Sequence, residues 1–129
     1  MKPLNWVGSS LNDLREFPPE VRREAGQSIY FAQKGGKAVN AVPMLGFGSA
    51  KILEVVINND GNTYRAVYTV KFRKAVYVLH AFQKKSHKGI VTPKPDLSLI
   101  KQRLSAAEKH YKENFENPRR GEHIRGQKA

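Results

Sequence analysis

Tyr64-Arg65-Ala66-Val67-Tyr68 and, after a short basic link, Ala75-Val76-Tyr77-Val78-Leu79-His80-Ala81-Phe82-Gln83-Lys84-Lys85-Ser86-His87-Lys88 carry the pattern from which the fold class follows. Aromatic and β-branched residues dominate both runs, which therefore read as two neighbouring strands. Just upstream, Asn58-Asn59-Asp60-Gly61-Asn62 is a tight-turn signal, so Ile52 to Ile57 and Thr63 to Phe72 are expected to form one hairpin. Arg73-Lys74 separates the second of these strands from a third over Ala75 to Lys85. Three consecutive antiparallel strands follow.

Towards the N-terminus, Leu4-Asn5-Trp6-Val7 alternates as a short strand does, and Ser10-Leu11-Asn12-Asp13 has the form of a capping box opening a short helix through Leu14. Pro18-Pro19 suits the first turn of a second helix, where a missing N–H costs nothing, and Val21, Ala25, Ile29 and Ala32 give that helix one apolar stripe. Gly35-Gly36 ends it. Residues 37 to 49 lack periodicity and read as a connecting loop with Met44, Leu45 and Phe47 packed inward. Beyond the strands, Asp96 is the expected N-cap of a helix whose seam is Leu97, Ile100, Leu104, Ala107 and Tyr111. The expected fold class is α+β, a small antiparallel sheet packed with N-terminal helices and a C-terminal helix. Residues 1–115 form one expected domain, and 116–129 a basic, weakly ordered tail.

The chain has 129 residues and a formal charge of +12, from 23 Lys and Arg against 11 Asp and Glu, which favours a polyanionic partner. The absence of cysteine excludes disulfides, thiolate catalysis and cysteine-based metal sites. His80, His87, His110 and His123 have no metal-ligating spacing, so neither a metal nor another cofactor is expected. No segment approaches the roughly 20 apolar residues needed to span a bilayer, and no secretory signal is read at the start. A cytoplasmic protein with no membrane partner is expected.

Strand alternation puts Arg65 on one side with Val67, Thr69 and Lys71. If helices cover one face only, the other displays Arg65 in a shallow cleft, where a guanidinium can grip a phosphate through two hydrogen bonds; the plainer alternative is a surface or ion-paired arginine. Lys84 and Lys85 point to opposite faces, so at most one enters a given cleft, and a solvated pair is the plainer alternative. Lys51, Lys71, Arg73, Lys88 and Lys94 are candidate RNA-binding cations. His80, in an apolar strand, reads as a hydrogen-bonded core histidine or a catalyst, whereas His87, in a polar loop, is the better proton-transfer candidate. Glu54 is either a general base or the ion-pair partner that orients Arg65, the structural role being preferred.

These residues carry a resemblance. Leu53-Glu54, Tyr64-Arg65-x-x-Tyr68, Leu79-His80-Ala81-Phe82-Gln83-Lys84-Lys85 and Thr92-Pro93 before a helix with Arg103 occur in an order that resembles the RelE/HigB family of bacterial toxins, in particular a phage-derived branch. The resemblance runs from about Leu4 to Tyr111. It implies a fold similar to small ribonucleases, metal-independent cleavage of mRNA on the ribosome, and an antitoxin partner, often with a helix-turn-helix domain. It places the phosphate-contacting arginine on Arg65 and the basic residue ending the last strand on Lys85, with Lys84 beside it. The chain departs from the family at Val56, where an arginine is frequent, and at Ser86-His87, where some members have a catalytic tyrosine. A non-catalytic basic RNA- or DNA-binding module is the competing expectation.

Overall fold

The hairpin turn is built as its residues require. Asp60 and Gly61 both take positive φ, 50° and 80°, so the chain reverses between Asn59 and Asn62 with a twist that suits the flanking strands. In a computed structural model that describes residues 1–48, 51–84 and 92–116, this turn joins β3 (Ile52–Asn59) to β4 (Asn62–Thr69). The remaining elements are β1 (Leu4–Trp6), α1 (Ser10–Arg15), α2 (Pro19–Gln33), β2 (Ala41–Pro43), β5 (Val76–Lys84) and α3 (Lys94–Asn114). The sheet order is β1-β5-β4-β3-β2, antiparallel except where β1 runs parallel to β5. The protein is α+β, with an architecture consistent with a RelE-like fold.

Both faces of the sheet are covered, and strand alternation decides what each helix meets. Leu53, Val55, Ala66, Tyr68 and Val78 turn to α1 and α2, whose Leu14, Val21, Ala25 and Ile29 complete one core. Ile52, Val67, Tyr77 and Leu79 turn the other way, to Ile100, Ala107 and Tyr111 of α3. The seam read on α3 is therefore used inside the chain. Burying a side chain such as Ile29 or Ile100 contributes roughly 1.5–3 kcal/mol. A register shift between Val67 and Tyr68 interrupts β4–β5 pairing, and Leu79 joins the α3-side core while its neighbour His80 also reaches α3.

α2 ends as Gly35-Gly36 predicts. Gly35 has φ of 88°, its N–H bonds Ala32 O, and Gly36 N–H bonds Phe31 O at 2.7 Å. Several local expectations need correction. Ser10 is not the cap of α1; it is buried and its hydroxyl donates to Val78 O, while Ser9 precedes the helix and bonds Asp13. Asp96 does not cap α3, because Pro93 precedes the helix and Asp96 lies in its first turn. Strand bounds also differ: β4 stops at Thr69 and β5 begins at Val76, whereas β3 runs on to Asn59.

The segment expected to be all loop contains β2, and Leu45 is 92% exposed, whereas Met44 and Phe47 do pack against the α3-side core. β2 is an edge strand with no outward N–H left to donate to another strand. Asn40 O and Met44 N–H bond β3, so the outward groups belong to Ala41 and Pro43; Ala41 N–H is taken by Ala38 O, and proline has none.

Candidate active site

Arg65 and Glu54 stand on the α3 side of the sheet, one on β4 and one on β3. Their register partners are Val56 and Val67, so the two are diagonal neighbours, close enough for long side chains to meet. Arg65 Nη1 donates to Glu54 Oε1 at 2.6 Å, and Thr92, just ahead of α3, donates its hydroxyl to Glu54 Oε2 at 3.3 Å. Arg65 is 4% exposed and Glu54 5%. The expectation of an open cleft is therefore corrected: helices cover both faces, and the guanidinium is buried and ion-paired.

Lys84 is on the same side, because it pairs in register with Thr63, two residues before Arg65. It too is buried. Burial lowers the pKa of its ammonium, the Arg65 guanidinium acts in the same direction, and Glu54 opposes them. The Nε of Arg65 is buried without a hydrogen-bond partner among the described residues. Among the described residues the site thus sets Arg65 and Lys84 beside the Glu54 carboxylate, with the Arg65 Nε–H not engaged. Such an arrangement favours a further anion or a proton relay. Lys85, His87 and Lys88 lie outside the described residues.

His80 sits two residues from the β5 partner of Arg65 and has both ring nitrogens engaged. Its Nε2 lies 2.7 Å from Asp96 Oδ1, and Arg103 Nη1 lies 3.4 Å from Nδ1. A guanidinium only donates, so Nδ1 accepts and Nε2–H donates to Asp96. The imidazole also stacks on Phe82, with centroids 4.7 Å apart. Arg103 donates further to Leu79 O and Ser9 Oγ, tying α3 to β5 and to the turn before α1. This geometry fits a positioning group better than a free base.

The candidate RNA-binding cations do not converge. Lys94 opens α3 two residues after Thr92, whereas Lys51, Lys71 and Arg73 are exposed at the opposite end of the sheet, with Lys71 ion-paired to Glu108. Thr92, Asp96 and Arg103 carry no chemical role in the expectations drawn from sequence. The seven-residue spacing of Asp96 and Arg103, which puts them on one helical face, was the available signal. Among the described residues no group of three or more His, Asp or Glu side chains is placed to hold a metal ion, and no helix is long and apolar enough to cross a membrane.

The five-stranded, mostly antiparallel sheet with helices on both faces is consistent with a RelE-like fold. A family model described as phage-derived protein, Gp49-like (DUF891), matches residues 12–105. The chain belongs to that Gp49-like family, which is part of the RelE/HigB-like toxin group. No curated protein and no solved structure matches the chain significantly.

Proposed function

We propose that this protein is the toxin of a type II toxin–antitoxin pair, a metal-independent endoribonuclease that cuts mRNA on the ribosome and so inhibits translation. Membership of the toxin-related Gp49-like family supports a toxin-like role and an antitoxin partner. The observation that supports the chemistry is the Arg65 guanidinium, held on β4 by Glu54, whose buried Nε–H has no hydrogen-bond partner among the described residues.

In the reaction the ribose 2′-oxygen bonds to the adjacent phosphorus, the bond to the 5′-oxygen breaks, and a proton passes from the 2′-hydroxyl to the leaving oxygen through the protein. Arg65 holds the phosphate oxygens, whose charge grows in the transition state, and Glu54 keeps the guanidinium in place. Lys85, with Lys84 beside it, adds positive charge from the end of the last strand. His87 accepts the proton of the 2′-hydroxyl. His80 orients the end of β5 through Asp96. The ribosome completes the orientation of the message, which is how so sparse a site suffices. The protein acts in the cytoplasm.

Burial of Arg65 favours a second reading, in which the pair is only a structural crosspiece and the chain is a non-catalytic basic module that binds RNA or DNA through exposed lysines. Induced expression separates the two. The toxin reading expects growth arrest and fragmentation of translated messages, with a frameshifted, untranslated copy left intact. Equal cutting of both copies would overturn ribosome dependence, and an absence of cutting would favour the binding module.

A further inference from the structure

Among the described residues, one group of lysines and arginines outside the Arg65 site lines adjoining clefts. Three clefts adjoin one another around the end of the sheet where β3 starts and β4 finishes. The cleft of about 640 Å³ between α2 and β3 is lined by Lys2, Lys37 and Lys51 and by no carboxylate. Lys2 and Gly35 are shared with a second cleft, which adds Lys34, Lys74 and Tyr30. Beside Lys74, the third is lined by Arg73, Lys109 and Lys112; of its two carboxylates, Glu108 is taken by Lys71. The basicity is not spread evenly, since the cleft at Phe17 and Tyr64 is lined by Asp13 and Glu16 and by no basic residue.

Two further features mark the basic end. Lys51 has φ of 52°, a conformation unfavourable for a residue with a Cβ, and is held there by Val70 N–H and the Thr69 hydroxyl, which both donate to its carbonyl. Tyr30 is 46% exposed, and Lys34 Nζ lies 5.3 Å from its ring centroid. Cations tracking a groove, with an exposed aromatic ring among them, suit a single nucleic-acid strand: phosphates meet the lysines and a base stacks on the ring. An acidic protein would use the charges and leave the ring without a role.

We infer that this lysine belt is a second RNA-binding surface, which holds a single-stranded segment away from the Arg65 site. Lys51 lies five residues from Val56, the register partner of Arg65, which is about 17 Å along a strand. One nucleotide cannot reach both places, so the belt grips the strand several nucleotides away from the bond being cut. The choice of RNA rests on the proposed function; the existence of a polyanion surface does not.

The test is fluorescence anisotropy of the full chain with a short 2′-O-methyl ribo-oligonucleotide, which lacks the attacking hydroxyl. The double variant Lys37→Gln/Lys51→Gly should weaken binding and lower the salt slope of log K by about 0.7 for each lysine that meets a phosphate. Glycine is favoured at the φ of residue 51, so folding should be kept, and a melting curve of the double variant is the control. Tyr30→Ala should weaken binding about tenfold or more with the slope unchanged. Unchanged affinity and slope in the folded double variant would overturn the inference. Intact RNA binding with lost affinity for a poly-glutamate peptide would overturn it in favour of an acidic protein partner. Arg65 and Glu54 are untouched in these variants. A chain that cuts no message yet loses RNA affinity as expected overturns the proposed activity alone.

Discussion

Arg65 and Glu54 meet at 2.6 Å across the β3–β4 ladder although neither is the other's register partner, each reaching diagonally from beside a valine. The diagonal places both charges under the start of α3, where Thr92 completes the second carboxylate oxygen. A buried pair of this kind is costly to break from one side. Glu54→Leu should destabilise the fold by about 3–5 kcal/mol, because it leaves the guanidinium buried without its carboxylate. The double variant Glu54→Leu/Arg65→Met should recover most of that loss. Urea unfolding of both variants, and of Arg65→Met alone, measures it, and additive losses would show that the charges do not depend on each other.

Lys84 makes a pH-dependent prediction. Its pKa is lowered in the fold, mainly by burial, so between that value and the ordinary 10.5 the unfolded chain binds more protons than the folded one. Its contribution to stability is therefore present above pH 10.5 and is lost as pH falls through the lowered pKa. Lys84→Met should raise the melting temperature at neutral pH, and the gain should shrink as pH rises. A gain independent of pH would mean that lost charge burial is not its cause. Tyr68 and Tyr77 have pKa values pushed up by burial to about 12, so two tyrosines should still be protonated at a pH where an exposed phenol has ionised. Absorbance near 295 nm reads this directly.

The Arg103 crosspiece depends on Gly8. Gly8 has φ of 59°, and a Cβ there would lie 2.7 Å from Arg103 Nε. Gly8→Ala therefore adds a backbone cost of about 1–2 kcal/mol to a displaced guanidinium. Loss of the Arg103 bonds to Leu79 O and Ser9 Oγ costs about 1.5–3 kcal/mol more. In a double-mutant cycle, Gly8→Ala and Arg103→Ala should be strongly non-additive, because the first already expels what the second removes. Additivity would place Arg103 elsewhere in solution.

His87 carries the proton-transfer proposal. General acid–base help is usually worth about 10²–10⁴-fold, so His87→Gln should slow single-turnover cleavage on ribosomes by at least the lower end of that range, with binding unchanged. Cleavage at the unaltered rate would leave the proton acceptor unassigned, with His80 and Glu54 next in line.

The fold was legible where local rules and packing agree. Asp60-Gly61 fixed the hairpin, the stripe of α2 met the sheet, and the seam of α3 found the opposite face. What the sequence did not disclose depends on partners far along the chain. Nothing local says that Ser10 is recruited by Val78 O rather than by its own helix, or that Ala41 to Pro43 pairs with β3. The site was half legible for the same reason. Alternation put Arg65 and Glu54 on candidate faces, but only the coverage of both faces, with Thr92 from beyond β5 in the sequence bonded to Glu54, buries them together. Likewise Lys71 and Arg73, near Arg65 in sequence, belong to the other end of the sheet because β4 carries them there.

The most direct test of the central claim is single-turnover cleavage of a message on programmed ribosomes by the natural chain and by Arg65→Gln/Glu54→Gln. The two amides can still hydrogen-bond, so the folded state is retained, and its melting curve is the control. Removing one electrostatic donor of this kind typically costs about 10²–10³ in rate, and the paired variant should fall by at least that much while still binding its antitoxin. The folded double variant is therefore expected to leave messages essentially uncut. Cleavage at the natural rate by that folded variant would contradict the account and remove the buried pair from the active site.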